Sequence, residues 1–228
     1  MNATLLSALA LIPALVFAIV FHEVAHGWTA LLLGDPTAKE QRRLTLNPVR
    51  HVDVVGTLLL PGALALAGAP VFGWAKPVPV NKWRLRNPRW GMMLVAAAGP
   101  LTNLVLAFIG AVALGLLAGK TGGDPGGVSG FVGSSLYAFI LVNVFLALFN
   151  LLPIPPFDGS HVVEGLLPRS WIPAWDKLRM IGFPLLFVII VVLPWVFPGL
   201  HIVQWLIEPP ATWAEAQYMA IANWVAGA

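Results

Sequence analysis

Apolar side chains run almost unbroken through several long stretches of the chain, and the polar positions gather between them. The first apolar run extends from Leu5 to Leu33 and predicts a helix from about Thr4 to Leu33, stopped by Gly34-Asp35-Pro36. At 1.5 Å per residue, about 30 residues span roughly 45 Å, enough to cross a bilayer and project beyond it. Gly91 to Ala118 predicts a second crossing, with Ala98-Gly99-Pro100 and Asn103 inside it. Phe131 to Leu152 predicts a third crossing and Met180 to Phe197 a fourth. From Pro198 onward, Glu208 and Glu215 alternate with Trp205, Trp213 and Trp224, the signature of an interfacial or partly inserted helix.

The polar stretches refine this picture. In Arg43-Leu44-Thr45-Leu46 polar and apolar side chains alternate, which suits a short strand. Val54 to Ala69 is apolar but shorter than the roughly 20 residues that a span needs, and Pro61-Gly62 interrupts it. Basic residues flank it on both sides: Lys39, Arg42, Arg43 and Arg50 before it, and five between Lys76 and Arg89 after it. A single crossing would put one basic flank outside, so the stretch is expected to re-enter the membrane and return. Irregular backbone at that depth is tolerated where protein buries it or a wet cavity lines it. The predicted fold is an all-α polytopic membrane protein with about four core transmembrane helices. To these it adds a re-entrant segment with a small β element and the C-terminal interfacial or partly inserted helix. It is read as a single domain over residues 1–228, with its core at 4–165 and extra helices at 180–228.

Composition agrees. Of 228 residues, 58% are hydrophobic and only 10% charged, with a mean hydropathy of +0.83; soluble domains run near a quarter charged. The net charge of +3 does not suggest a nucleic-acid partner, because the basic residues lie in loops beside apolar segments. That asymmetry predicts a multi-pass protein of the cell membrane with its basic loops in the cytoplasm. Met1 to Leu15 carries no positive charge, so the first run reads as a retained span and not as a cleaved signal. With no cysteine, any metal must be held by His, Asp or Glu.

The chemistry concentrates in Phe21-His22-Glu23-Val24-Ala25-His26-Gly27, inside the first apolar run. Histidines four apart share one helix face and can reach a single metal ion, and the glutamate after the first can serve as general base. Ionisable groups at that depth are costly and mark a functional site. A hydrolytic metal site needs a third protein ligand. Asp158 is the candidate, in Asn150-Leu151-Leu152-Pro153-Ile154-Pro155-Pro156-Phe157-Asp158-Gly159, where prolines end the third helix and Gly159 permits a tight turn. On spacing alone Asp158 could equally cap a helix beginning near Ser160. His51 and Asp53 read as loop hydrogen-bonding groups more readily than as a second metal site. Asn103 is expected to bond across helices near the site. His161 and Glu164 read as helix-surface residues, with a supporting role behind a metal ligand as the alternative. His201 reads as interfacial.

The pair HEVAHG and NLLPIPPFDG resembles the site-2 protease family of intramembrane zinc metalloproteases. Ala98-Gly99-Pro100-Leu101-Thr102-Asn103 and the loop from Gly73 to Asn81 resemble its minimal prokaryotic branch, and the likeness covers roughly Phe17 to Gly165. By that resemblance one zinc ion per chain would be held by His22, His26 and Asp158. Glu23 would be the catalytic base, Asn150 would hold substrate or the developing oxyanion, and the re-entrant β element would fall at Arg42–Ala69. The resemblance further implies cleavage of membrane-protein substrate helices within or beside the bilayer, at a site open to the cytoplasmic side. Lys120–Gly130 is too short for the PDZ domain that many members carry, and about 30 residues after Pro198 leave no room for a CBS pair. The competing readings are a divalent-metal transporter, which calls for a chain of ligands and often repeated halves, and a non-catalytic scaffold, which the intact Glu23 argues against.

Overall fold

A computed structural model describes residues 3–68, 74–122, 126–197, 199–200 and 202–227. The chain is helical nearly throughout. Helix α1 (Ala3–Leu32) is followed by the single turn α2 (Thr37–Glu40) and by α3 (Leu60–Leu66). Then come the two long helices α4 (Pro88–Thr121) and α5 (Gly127–Asn150), and the short α6 (Asp158–Leu166). The chain ends with α7 (Ile172–Phe187), α8 (Leu193–Val196) and α9 (Ile202–Ala226). Among the described residues three helices are long and apolar enough to cross a membrane: Leu9–Leu32 of α1, α4 and α5. The region expected to form a fourth crossing is divided into α7, a π-helical stretch Val188–Val192, and α8.

The ends of the long helices follow from local chemistry. The Asn87 side chain accepts from the Trp90 amide and Pro88 occupies the first turn, where its missing N–H costs nothing. At the other end Gly122 takes a left-handed φ of 61° and returns its amide to the Ala118 carbonyl. Small residues along α4 (Gly99, Ala107, Gly110, Ala111 and Gly115) are all buried, which lets neighbouring helices approach closely. Ala107 and Ala111 pack with Ile140 and Val144 of α5 and with Ala214 and Ala222 of α9 in one core cluster. Large side chains such as Ile12, Phe17, Leu101 and Val105 are turned outward, the arrangement of a bundle whose solvent is lipid.

Two expectations are refined here. The tail is packed lengthwise on the bundle: α9 places Ala222 and Ala226 against Gly115 and Gly119 of α4, and Tyr218 donates to the Leu104 carbonyl at 3.0 Å. The small residues Ala214, Ala222 and Ala226 of α9 supply the face that packs on α4. The second change concerns Arg43–Leu46, which is extended but not paired into a sheet; no strand occurs among the described residues. Its ladder is replaced by side-chain bonds. The buried Arg43 guanidinium donates from Nη2 to the Lys76 carbonyl at 2.8 Å, and the His51 ring meets the Thr45 carbonyl at 2.8 Å. The expected re-entrant segment holds a short helical run, Val54–Leu59 and then α3, capped by Asp53 on the Gly56 amide at 2.7 Å. Thirteen residues rise only about 20 Å, too little to cross. Ala69 and the loop residues to Gly73, like His201, lie outside the described residues.

Candidate active site

His22 and His26 lie on the face of α1 that meets α4, and both are buried. Behind them α4 contributes the groups that aim them. The His22 Nδ1 is 2.6 Å from the Asn103 Oδ1, and the His26 Nδ1 is 2.7 Å from the Val95 carbonyl. The Asn103 amide nitrogen donates to the Ala18 carbonyl at 3.2 Å and to the Asn143 Oδ1 at 2.8 Å, so its oxygen is the end that faces His22. Both Nδ1 atoms therefore face acceptors and carry the protons, leaving the Nε2 lone pairs to point away from α4. Gly99 makes the approach possible, because a Cβ there would fall 2.5 Å from His26 Nε2 and 2.6 Å from His22 Cε1.

Asp158 completes the group. It is the first residue of α6 and not its cap: Phe157 holds the cap position and no side chain caps the helix. Its Oδ2 lies 3.1 Å from His22 Nε2 and 3.3 Å from His26 Nε2. Gly159 serves a different purpose from the turn expected of it. Its φ is ordinary, and a Cβ would collide with the Leu151 and Leu152 carbonyls, so the small residue lets α6 fold against the end of α5. A carboxylate at this position serves a metal ion in its anionic form.

Three ligand atoms from His22, His26 and Asp158 lie within 4.8 Å of one another. With both Nδ1 atoms donating outward, two lone pairs and a carboxylate oxygen converge on one point, and Asp158 Oδ2 is buried without a hydrogen-bond donor. Three acceptors without a donor fit a cation. The donor set, two imidazoles and one carboxylate with orienting bonds behind each imidazole, fits zinc with one coordination position left open.

Glu23 sits between the histidines on the helix, half-buried, with Oε2 accepting from the Val78 amide at 2.7 Å. That amide belongs to an extended segment, 74–81, anchored at both ends. Asp35, fully buried, accepts from the Asn81 amide at 2.6 Å, and Trp74 exchanges a 3.0 Å bond from its amide to the Gly56 carbonyl. Asn150 ends α5 and donates to the Leu146 carbonyl one turn back at 2.9 Å. Two cavities meet at these residues. One, of about 320 Å³, includes His26, Asp158, His161 and Pro77 in its lining. The other, of about 250 Å³, includes Ile19, Leu146, Phe149 and Leu186. His22, Glu23, Asn150 and Pro156 line both.

The remaining polar residues sort themselves out. His51 and Asp53 serve loop hydrogen bonds, as expected of them. His161 is not a helix-surface residue: it lines the polar cavity and places Nδ1 3.4 Å from the Glu164 Oε2, which Arg179 of α7 binds in turn. Burial and then the Arg179 charge lower the His161 pKa, which keeps the ring neutral near pH 7. Asn143 and Asp35 carry no motif that marks them in the sequence. A buried asparagine one helix away and an acid just past a helix stop were the only available signals.

The model of peptidase family M50 matches residues 10–193. YwhC of Bacillus subtilis, named as a candidate zinc metalloprotease, is 39% identical over 198 residues, covering 85% of this chain and 87% of that one. A candidate zinc metalloprotease of Mycobacterium tuberculosis is 30% identical over 197 residues, 82% of this chain and 68% of the relative. One from Mycolicibacterium smegmatis is 29% identical over 187 residues, 82% and 66% respectively. No solved structure matches the chain.

Proposed function

The chain belongs to peptidase family M50, and from that premise we propose that it is a zinc-dependent protease that hydrolyses peptide bonds in or near transmembrane segments of membrane-protein substrates. The observation that carries this reading is the convergence of His22 Nε2, His26 Nε2 and the donorless Asp158 Oδ2 beside Glu23. His22, His26 and Asp158 would hold one zinc ion. When bound, zinc supplies Lewis-acid activation of water and of the scissile carbonyl.

The chain's own residues do the rest. Asn103 and the Val95 carbonyl fix both imidazoles, so ligand geometry is set before substrate arrives. Glu23 takes the proton from the attacking water and passes it to the leaving amine. The Val78 amide steadies one of its oxygens. Asn150 lies on the wall common to both cavities, and its side-chain amide would donate to the oxyanion or hold substrate there. The polar cavity lies toward the basic loops, which supports water entry from the cytoplasmic face of the cell membrane. A substrate helix hides its carbonyls in internal bonds and must unwind to be attacked. The extended Arg43–Leu46 segment, the remnant of the expected β element, offers backbone groups to an unwound chain. A metal-transport reading finds less support, since one compact ligand group occurs among the described residues.

Glu23→Gln tests the reading. It preserves shape and metal ligation and removes the base, so zinc content should stay at one per chain while cleavage of a membrane substrate falls by at least about 100-fold. Cleavage at the wild-type rate would sink the assignment.

A further inference from the structure

The two cavities that meet at Glu23 are chemically unlike. The polar one is reached through His26, Asp158 and His161. The other is walled by Ile19, Leu146, Phe149, Phe157 and Leu186, with the backbone-anchored Trp74 segment closing it. They also lie at different depths. Ile19 is one turn before His22 on α1, and Leu146 and Phe149 precede Asn150 on α5, so the apolar chamber is on the membrane-interior side of the ligands. His26 is one turn after His22, toward the basic loops. The apolar walls are firm: the Phe149 and Phe157 rings meet edge to face with centroids 4.5 Å apart, Phe145 stacks on Phe149 at 5.4 Å, and Leu186 and Phe157 are buried.

We infer that this apolar chamber is a specificity pocket, which takes a bulky apolar side chain of the substrate from the residue adjoining the scissile bond on its membrane-interior side. An apolar cavity of about 150 Å³ stays dry and holds a benzene ring, so the 250 Å³ here accommodates a leucine or phenylalanine side chain. The chamber shares His22, Glu23, Asn150 and Pro156 with the polar cavity. A side chain seated in it therefore hangs from backbone lying directly beside the base. The next residue on the other side is then offered to the polar cavity, where small or polar side chains cost least to place. The site in this way selects the boundary at which an apolar helix gives way to polar sequence. The inference rests on the proteolytic reading above.

The test uses the full-length protein in zinc-containing proteoliposomes and a set of transmembrane substrates whose cleavage point is mapped by mass spectrometry. The residue on each side of the cut is varied in turn through Gly, Ala, Leu and Phe. On the membrane-interior side, Leu and Phe should exceed Ala in kcat/KM by on the order of ten-fold or more, the usual effect of a few methylenes in a pocket. On the other side no such rise should appear. Leu146→Phe, which partly fills the chamber, should lower cleavage of the Phe substrate at least several-fold more than that of the Ala substrate. Phe149→Leu, which enlarges it, should shift preference toward larger side chains. A profile in the wild-type protein that is flat on the membrane-interior side, or that favours Gly there, overturns the inference whatever the variants do. Absence of cleavage of every substrate by the wild type would instead count against the proteolytic reading itself.

Discussion

At the scale of single residues, the site depends on groups that never touch a substrate. Asn103 is fully buried and its three bonds, to His22, Ala18 and Asn143, link α1, α4 and α5 through one side chain. Asn103→Ala leaves the His22 Nδ1–H without an acceptor, a loss of about 1–3 kcal/mol for a buried group, and frees the ring to turn. Zinc affinity should fall by about 10–100-fold, measured by competition with a chelator, while the helical circular dichroism stays intact. An unchanged affinity would mean that the packing around His22 alone holds it. Asp158→Ala carries a complementary expectation: zinc is lost and the helix α6 remains, because Asp158 caps nothing. Retention of zinc would remove it from the ligand set. The histidines and Glu23 were legible in the sequence because an i, i+4 pair on a helix is a local pattern. Asp158 needed a second motif far along the chain. Asn143 and the Val95 carbonyl were not legible at all, since their roles are fixed only when α1, α4 and α5 pack.

At the scale of elements, the extended segment 74–81 is what distinguishes the site from a bare helical ligand cluster. The sequence suggested a strand at Arg43–Leu46, and the residues there are extended, but the segment's hydrogen bonds go to side chains and a neighbouring loop, with no partner strand among the described residues. The anchor that does the holding is Asp35, which accepts from the Asn81 amide and from the Thr37 amide and hydroxyl. Its removal by Asp35→Ala orphans three donors. The Val78 amide should then exchange with deuterium faster, and Glu23 should lose its fixed oxygen, lowering kcat with little change in zinc content. Slow exchange at Val78 in that variant would place the anchor elsewhere. A second coupling joins α6 to α7, where Arg179 binds Glu164 beside His161. Burial pushes the Glu164 carboxyl up, and Arg179 more than reverses this, so its pKa is lowered overall. A lowered folded-state value means that the pair stabilises the docking above the ordinary glutamate range and is lost as pH falls through the depressed value. Glu164→Gln should therefore flatten the acid limb of a thermal-stability profile below about pH 4.5. A profile with the same acid limb would show that the pair contributes nothing there.

At the scale of the whole molecule, the proposed ligands lie on α1 and α6 and are aimed by α4, along which α9 packs from Leu104 to Gly119. Gly99, beside the histidines, and Gly115, beside α9, are 16 positions apart, about 24 Å along the helix. The tryptophans of the tail suggested an interfacial or partly inserted helix, and its alanines face α4, a distinction of which face is used that composition alone does not resolve. A side chain at Gly115 tests which arrangement holds. A Cβ there would strike the Ala222 carbonyl and come within 2.8 Å of the Val225 Cβ, so α9 would have to move away as a body. Overpacking of this kind costs about 1–3 kcal/mol. Gly115→Leu should accordingly lower the thermal midpoint by several degrees and make the Tyr218 hydroxyl, now bonded to the Leu104 carbonyl, accessible to solvent. Zinc content should be unchanged, because Gly115 is 12 positions from Asn103, about 18 Å along α4, and movement of α9 relieves the strain. A variant as stable as the wild type would mean that α9 does not rest on α4 in the membrane, and one that lost zinc would mean that the tail supports the site through α4.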